Sequence, residues 1–179
     1  MDASSRSPVI DIAVNGGEWP AEDALRGIAE RAVEAALGAI GWRAPPKGAA
    51  LSILFTDDSA MRELNARWRG KDKPTNVLSF PQPPGPRAGG PLPLGDIVLA
   101  AETVAAEAAR DGKRPADHLR HLVVHGCLHL LGHDHQDDAG AARMEEEESL
   151  ILRTLGVADP HAEEAHPAPA DRAPAELGP

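Results

Sequence analysis

Tyrosine is absent from the 179-residue chain, and aromatic residues amount to only 3%. That argues against the broad aromatic platform on which single-strand binders stack successive bases. A single cysteine, Cys127, excludes an internal disulfide framework. No stretch approaches the roughly 20 apolar residues of a spanning helix. The opening MDASSRSPVIDIAV lacks the basic start, apolar run and small-residue cleavage site of a secretory signal, so the expected setting is the reducing cytoplasm. A positive excess is missing too. Eighteen basic against 28 acidic residues leave a net charge of −10, so there is no global attraction to nucleic acid or to anionic membranes, and any nucleic-acid contact must be local.

What the chain does have is ample punctuation, 17 Gly and 17 Pro, consistent with one ordered domain of about 150 residues. Val9 to Val14 alternates as a strand and exits through Asn15-Gly16-Gly17. Leu25, Ile28, Ala32, Ala36 and Leu37 recur at helical spacing, predicting an amphipathic helix over about 20–40. Leu51 to Phe55 reads as a strand that runs into a short helix carrying Met61, Leu64 and Trp68 and ending at Gly70. Thr75 to Phe80 and Leu94 to Leu99 read as strands, with a Pro/Gly-rich loop over 81–93. Further helices are expected over Ala100–Arg110, after Pro115 with Asp117 as cap, and over Ala141–Leu155. The expected domain is 1–158, with residues 159–179, poor in large apolar side chains, as a disordered tail.

Six of the eight histidines fall between His118 and His135. On a helix His125 and His129 lie about 40° apart, close enough to share one ion. Leu119, Val123, Cys127 and Leu130 fall on the opposite face, which is core. His121, His125 and His129 together span about 12 Å of rise, too far for three Zn–N bonds of about 2.1 Å to converge. A third ligand must therefore come from returning chain. Gly132 can take the left-handed conformation that ends the helix, and the following His-Asp-His offers His133 or His135. The spacing His125-x3-His129-x2-Gly132-x2-His135 arises by chance about once in a thousand such sequences. Three neutral imidazoles leave a fourth zinc position open, the mark of a catalytic rather than a closed structural site. Asp134, between two candidate ligands, reads either as a turn residue or as a carboxylate that steadies a ligand ring.

The same spacing occurs in the metzincin proteases, where a glutamate general base follows the first histidine. Here that position is Gly126. A peptidase would lack its base, whereas phosphodiester hydrolysis needs a cation against the developing charge. Arg62, Arg67, Arg69, Lys71 and Lys73 form the one dense positive segment. Its bland reading is a solvated face, with Arg69 paired to Asp72.

His125 to His135 (HGCLHLLGHDH), with Leu64-Asn65, Trp68 to Phe80 (WRGKDKPTNVLSF) and Leu94 to Ile97 (LGDI), resembles the YbeY family of bacterial endoribonucleases. Three separated motifs in order carry the resemblance, from about Val9 to Val157. It implies a single α+β domain with a mixed sheet, a metzincin-like metal-binding helix, and one zinc ion on His125, His129 and His135. It also implies a functionally important arginine at Arg69 and metal-dependent cleavage of single-stranded RNA in small-subunit rRNA 3′-end maturation and ribosome quality control. The expected partners are single-stranded RNA or rRNA, the small ribosomal subunit and its assembly factors, and no membrane. Arg67, Arg69, Lys71 and Lys73 are the expected RNA contacts, Asp134 the carboxylate behind the ligands. His133 stands where many members have Tyr, which leaves its role open between substrate contact and turn residue. Two other readings compete: a noncatalytic zinc-containing ribosome-assembly factor and a metalloprotease.

Overall fold

The computed structural model describes residues 7–42, 48–83 and 89–161, and these form four strands and five helices. The order is β1 (Val9–Val14), α1 (Glu22–Ala39), β2 (Ala49–Thr56), α2 (Asp58–Arg69), β3 (Val77–Pro81), β4 (Leu92–Ala100), α3 (Ala101–Arg110), α4 (Pro115–Leu130) and α5 (Asp138–Thr154). The sheet runs β1-β2-β4-β3, with β1, β2 and β4 parallel and β3 antiparallel at the edge. This is the expected α+β arrangement. Among the described residues, no helix is long and apolar enough to cross a membrane.

Strand alternation sends side chains into two separate cores. Leu51, Ile53, Phe55, Ile97 and Leu99 meet the buried stripes of α1 (Leu25, Ile28, Ala29, Ala32, Val33, Ala36, Leu37) and α4, with α5 adding Met144, Ile151 and Leu152. On the other face Leu78, Val98 and Ala100 receive Met61 of α2, with Leu54, Leu64 and Phe80 packed around them. The imidazole-bearing helix α4 and the cationic helix α2 therefore lie on opposite faces of the sheet.

The helix ends are specified locally. Asp57 caps α2 by accepting from the Ala60 N–H at 2.8 Å, and Asp137 caps α5 through Gly140. Asp58 accepts from Thr103 N (3.0 Å) while Glu102 accepts from Asp58 N (2.8 Å), so the starts of α2 and α3 hold each other. Asp117 is not the cap of α4. Arg114 occupies that position, Pro115 fills the first helical one, and Asp117 one turn in pairs with Arg114 and Arg120.

Two proline positions differ from the expected loop over 81–93. Pro81 belongs to β3, an edge strand with one unpaired side, and Pro93 to β4. β4 is central, but its pairing with β3 stops at Gly95, and a register shift in the β2 ladder follows Ala50, so Pro93 sits where a missing N–H costs little. Residues 84–88 of that loop lie outside the described residues, as does the expected tail beyond 161. Residues 159–161 continue the fold: Asp159 accepts from Ser149 Oγ at 2.7 Å and from the His161 N–H at 2.9 Å.

A polar chain ties α4 to its neighbours. Asn76 donates to Glu107 (3.0 Å) and accepts from the Val77 N–H (2.7 Å), and the Glu107 carboxylate lies 2.8 Å from Nε2 of the buried His118. Burial pushes the His118 imidazole below its ordinary value; Glu107 pulls the other way, and the nearby His121 and Lys113 add to the lowering. The folded state thus binds this proton less readily than the unfolded chain, so its contribution to stability is present above the unfolded value near 6.5 and declines as pH falls below it. Between about pH 7.5 and pH 5.5 the urea midpoint of the wild type should fall, with a shallower slope in His118→Gln. Equal slopes in the two proteins would remove His118 as the cause.

Gly95 has φ of +136°, and a Cβ there would lie 2.2 Å from the Phe80 carbonyl oxygen and 2.9 Å from Leu130. Gly95→Ala is expected to cost about 2–4 kcal/mol in equilibrium unfolding. A change within about 0.5 kcal/mol would contradict that close approach.

Candidate metal centre and cationic segment

Helix α4 is seated on the sheet through its least bulky residue. A Cβ at Gly126 would come within 3.1 Å of two Ile97 side-chain carbons and of Ser79 Oγ, and Ser79 Oγ donates to the Gly126 carbonyl oxygen at 3.4 Å. Position 126 therefore faces the sheet and has no room for a glutamate. Leu119, Val123, Cys127 and Leu130 are buried as expected, and burial pushes the Cys127 thiol up to about 12.

The opposite side of α4 carries the histidines. One helical turn brings Nε2 of His125 and Nε2 of His129 to 3.1 Å. Leu131 caps the end of α4, Gly132 turns left-handed at φ +92°, and the His133 N–H returns to the Leu128 carbonyl oxygen at 3.1 Å. This reversal sets the His135 ring 5.0 Å from that of His129 and 6.0 Å from that of His125. One nitrogen from each of the three lies within 4.8 Å of the other two. Around a tetrahedral zinc with bonds of about 2.1 Å, ligand nitrogens stand about 3.4 Å apart, so the three imidazoles match that donor set with small adjustment. Burial lowers the His129 pKa, as does the charge of His125 and His135, which keeps the ring in the neutral form that ligates; a hydrogen bond to the His133 backbone and the charge of Asp134 oppose the shift.

Behind the triad lies Glu148 of α5, 1% exposed. Its Oε2 accepts from Nδ1 of His125 at 3.3 Å, a bond that leaves the His125 Nε2 lone pair turned toward His129 and His135. Its Oε1 is in direct contact with Nε2 of His121. Burial alone would raise this carboxyl, but the hydrogen bonds and charge of His121 and His125 bring it down to about 2. Glu148 is not among the residues that the sequence pattern singles out. The signal for it is position: it shares the buried stripe of α5 with Met144, Ile151 and Leu152, where a carboxylate requires partners. Asp134 acts on His129 through charge, and the carboxylate bonded to a ring of the triad, that of His125, is Glu148. His133 turns away to Glu147, at 2.7 Å, on the rim of a 490 Å³ cavity that also includes Asp134 and Arg143.

The cationic segment is a turn held from below. Gly70 closes α2, and the buried Asn65 donates from Nδ2 to the Lys73 carbonyl oxygen at 2.7 Å while its own carbonyl accepts from the Lys71 N–H at 3.2 Å. Asp72 is taken by Arg62 in a two-pronged bond of 2.7 and 2.9 Å, so the pairing of Asp72 with Arg69 does not form. Arg69, Lys71 and Lys73 are exposed, and the Arg67 guanidinium lies 5.5 Å over the exposed Trp68 ring. Trp68 in turn meets Phe80 edge-on at 6.0 Å, at one end of an 800 Å³ groove lined by Leu54, Leu64 and Val98. The structure assembles His125, His129 and His135 on one side of edge strand β3 and presents Arg67, Arg69, Lys71 and Lys73 on the other.

Comparison with known proteins gives this arrangement a family. Proteins described as Endoribonuclease YbeY are similar along nearly their whole length: that of a Chelativorans species is 55% identical over 162 residues, covering 90% of this chain and 98% of the relative. Those of Azorhizobium caulinodans and Rhizobium meliloti are 51% and 49% identical, covering 86% and 87% of this chain and 96% and 95% of theirs. In fold, the chain is similar to the solution structure of TM1509 from Thermotoga maritima, with a TM-score of 0.56 at 24% identity over 92% of this chain and all of that one. The family profile described as Endoribonuclease YbeY matches residues 15–156, from the exit of β1 to the end of α5, and the chain belongs to that family.

Proposed function

We propose that the protein is a metal-dependent endoribonuclease that hydrolyses single-stranded RNA, with one zinc ion on His125, His129 and His135. Its setting is the cytoplasm, and its work is small-subunit rRNA 3′-end maturation and ribosome quality control, alongside the small subunit and its assembly factors. The observation that carries this reading is the convergence of three imidazoles in a chain whose relatives are named endoribonucleases. An ion bound there would supply Lewis acidity toward a phosphodiester and its attacking water.

The chain's own residues do the rest. Glu148 holds the Nδ1 proton of His125 and so keeps Nε2 available to the ion; Asp134 adds negative charge beside His129. Arg67, Lys71 and Lys73 hold backbone phosphates, and Arg69 directs two N–H groups at nonbridging oxygens as their charge grows. Gly126, pressed against Ile97 and Ser79, leaves no place for a protease base. The segment's exposed cations are available for phosphate because Asp72 is already satisfied by Arg62.

Metal analysis joined to cleavage of single-stranded RNA tests the proposal. His129→Ala should lose the ion of this triad and cleave about 1,000-fold more slowly or worse, in keeping with the several kcal/mol that a metal supplies. Cleavage at the wild-type rate by that variant would overturn the site. Pre-ribosome binding with RNA left intact, whatever the metal content, would establish the assembly-factor reading instead.

Arg69→Lys keeps the charge and loses the planar fork. Under single-turnover conditions with saturating protein it should bind RNA nearly as the wild type does and cleave it on the order of 100-fold more slowly. Wild-type rates in both Arg69→Lys and Arg69→Ala would reduce the residue to a surface cation.

A further inference from the structure

A second group of ligand-type side chains lies outside the triad. His121 of α4, Glu148 of α5 and His161 of the turn after α5 each offer one ligand atom, all within 4.8 Å of one another. We propose that these three residues form a second metal site for a divalent transition ion of the zinc class, joined to the first through Glu148.

The donor chemistry supports it. Two imidazoles and one carboxylate are a known donor set for zinc with a further position left to water. The rings of His121 and His161 stand 6.0 Å apart and nearly perpendicular, at 86°, with Glu148 in contact with His121 on one side. On the other side, Nε2 of His161 is buried with no hydrogen-bond partner among the described residues and lies 3.8 Å from Glu148 Oε2. That separation is too long for a hydrogen bond and about 0.4 Å beyond the roughly 3.4 Å between two ligand atoms of a tetrahedral zinc, a gap that a small ring movement closes. Glu148 is itself almost wholly buried, so its carboxylate needs compensation that a cation would complete.

Placement is also built. His161 does not dangle: the Asp159 carboxylate accepts from the His161 backbone N–H and from Ser149 Oγ, which anchors the turn to α5. A 240 Å³ cavity lined by Lys113, Asp117, His121 and residues 157–160 gives solvent and ions a route to this side of α4. The set is distinct from the first. His125 turns Nε2 toward His129 and Nδ1 toward Glu148, so a single carboxylate stands between the two groups, with Oε2 on His125 and Oε1 on His121. An ion in the second site would clasp the turn after α5 to α4 and reach the first site through the shared carboxylate.

Titration of the metal-stripped full chain with Co²⁺, read by visible d–d absorption and by bound metal per chain, tests this. The wild type should take up two equivalents. His161→Ala and His161→Gln should take up one, with the first site's spectrum retained as the control for folding. His129→Ala should also keep one, which the double variant His129→Ala/His161→Ala should lose. A melting temperature that rises with the second equivalent in the wild type and not in the His161 variants would accompany the clasp. A single equivalent in the wild type, or two in both His161 variants, would overturn the second site while leaving the first untouched.

Discussion

The close seat of α4 on the sheet is the contact on which the remainder depends. With only a hydrogen atom at position 126, the helix settles against Ile97 and Ser79, and that depth fixes its rotation. Leu119, Val123 and Cys127 then point into the core, and His121, His125 and His129 one face away are left half-buried and open enough to be reached. A bulkier residue there would lift α4, and the distance from His125 to Glu148 on α5 would change with it.

Around that helix the molecule divides electrostatic labour between two faces of one sheet. The side of α4 and α5 gathers imidazoles around a single buried carboxylate, while the side of α2 raises cations on a turn held by Asn65. Edge strand β3 belongs to both, with Val77 and Ser79 toward α4 and Leu78 and Phe80 toward α2. Its alternation is what lets a strand of five residues separate groups of opposite chemical purpose. A net charge of −10 does not hinder this, because the positive segment has its own acidic neighbour neutralised internally.

Much of the site is legible in the residues because helix geometry is rigid. A four-residue spacing fixes the angle between His125 and His129, and a glycine after the last turn predicts the reversal that returns His135. The same logic places Cys127 away from any metal. Glu148 escapes such reasoning: four consecutive glutamates, Glu145 to Glu148, look alike in one dimension, and only the stripe of α5 that faces α4 distinguishes the buried one. The partner of Asp72 escapes it too, since Arg62 lies ten residues away and Arg69 three. Strand ends at Pro81 and Pro93 are misread for a related reason. Proline forbids a donor, but whether a donor is needed depends on which neighbour the ladder lacks at that point.

Cys127, the chain's only thiol, is 0% exposed and held in its protonated form by a low-polarity setting that raises it to about 12. In the native protein it is neither a nucleophile nor an oxidant's target, since the reactive thiolate is almost wholly suppressed and no reagent reaches it. It becomes both as soon as α4 parts from the sheet. Alkylation of this one sulfur therefore works as a built-in clock of opening events, counting how often the helix that carries the imidazoles leaves its seat under fully native conditions.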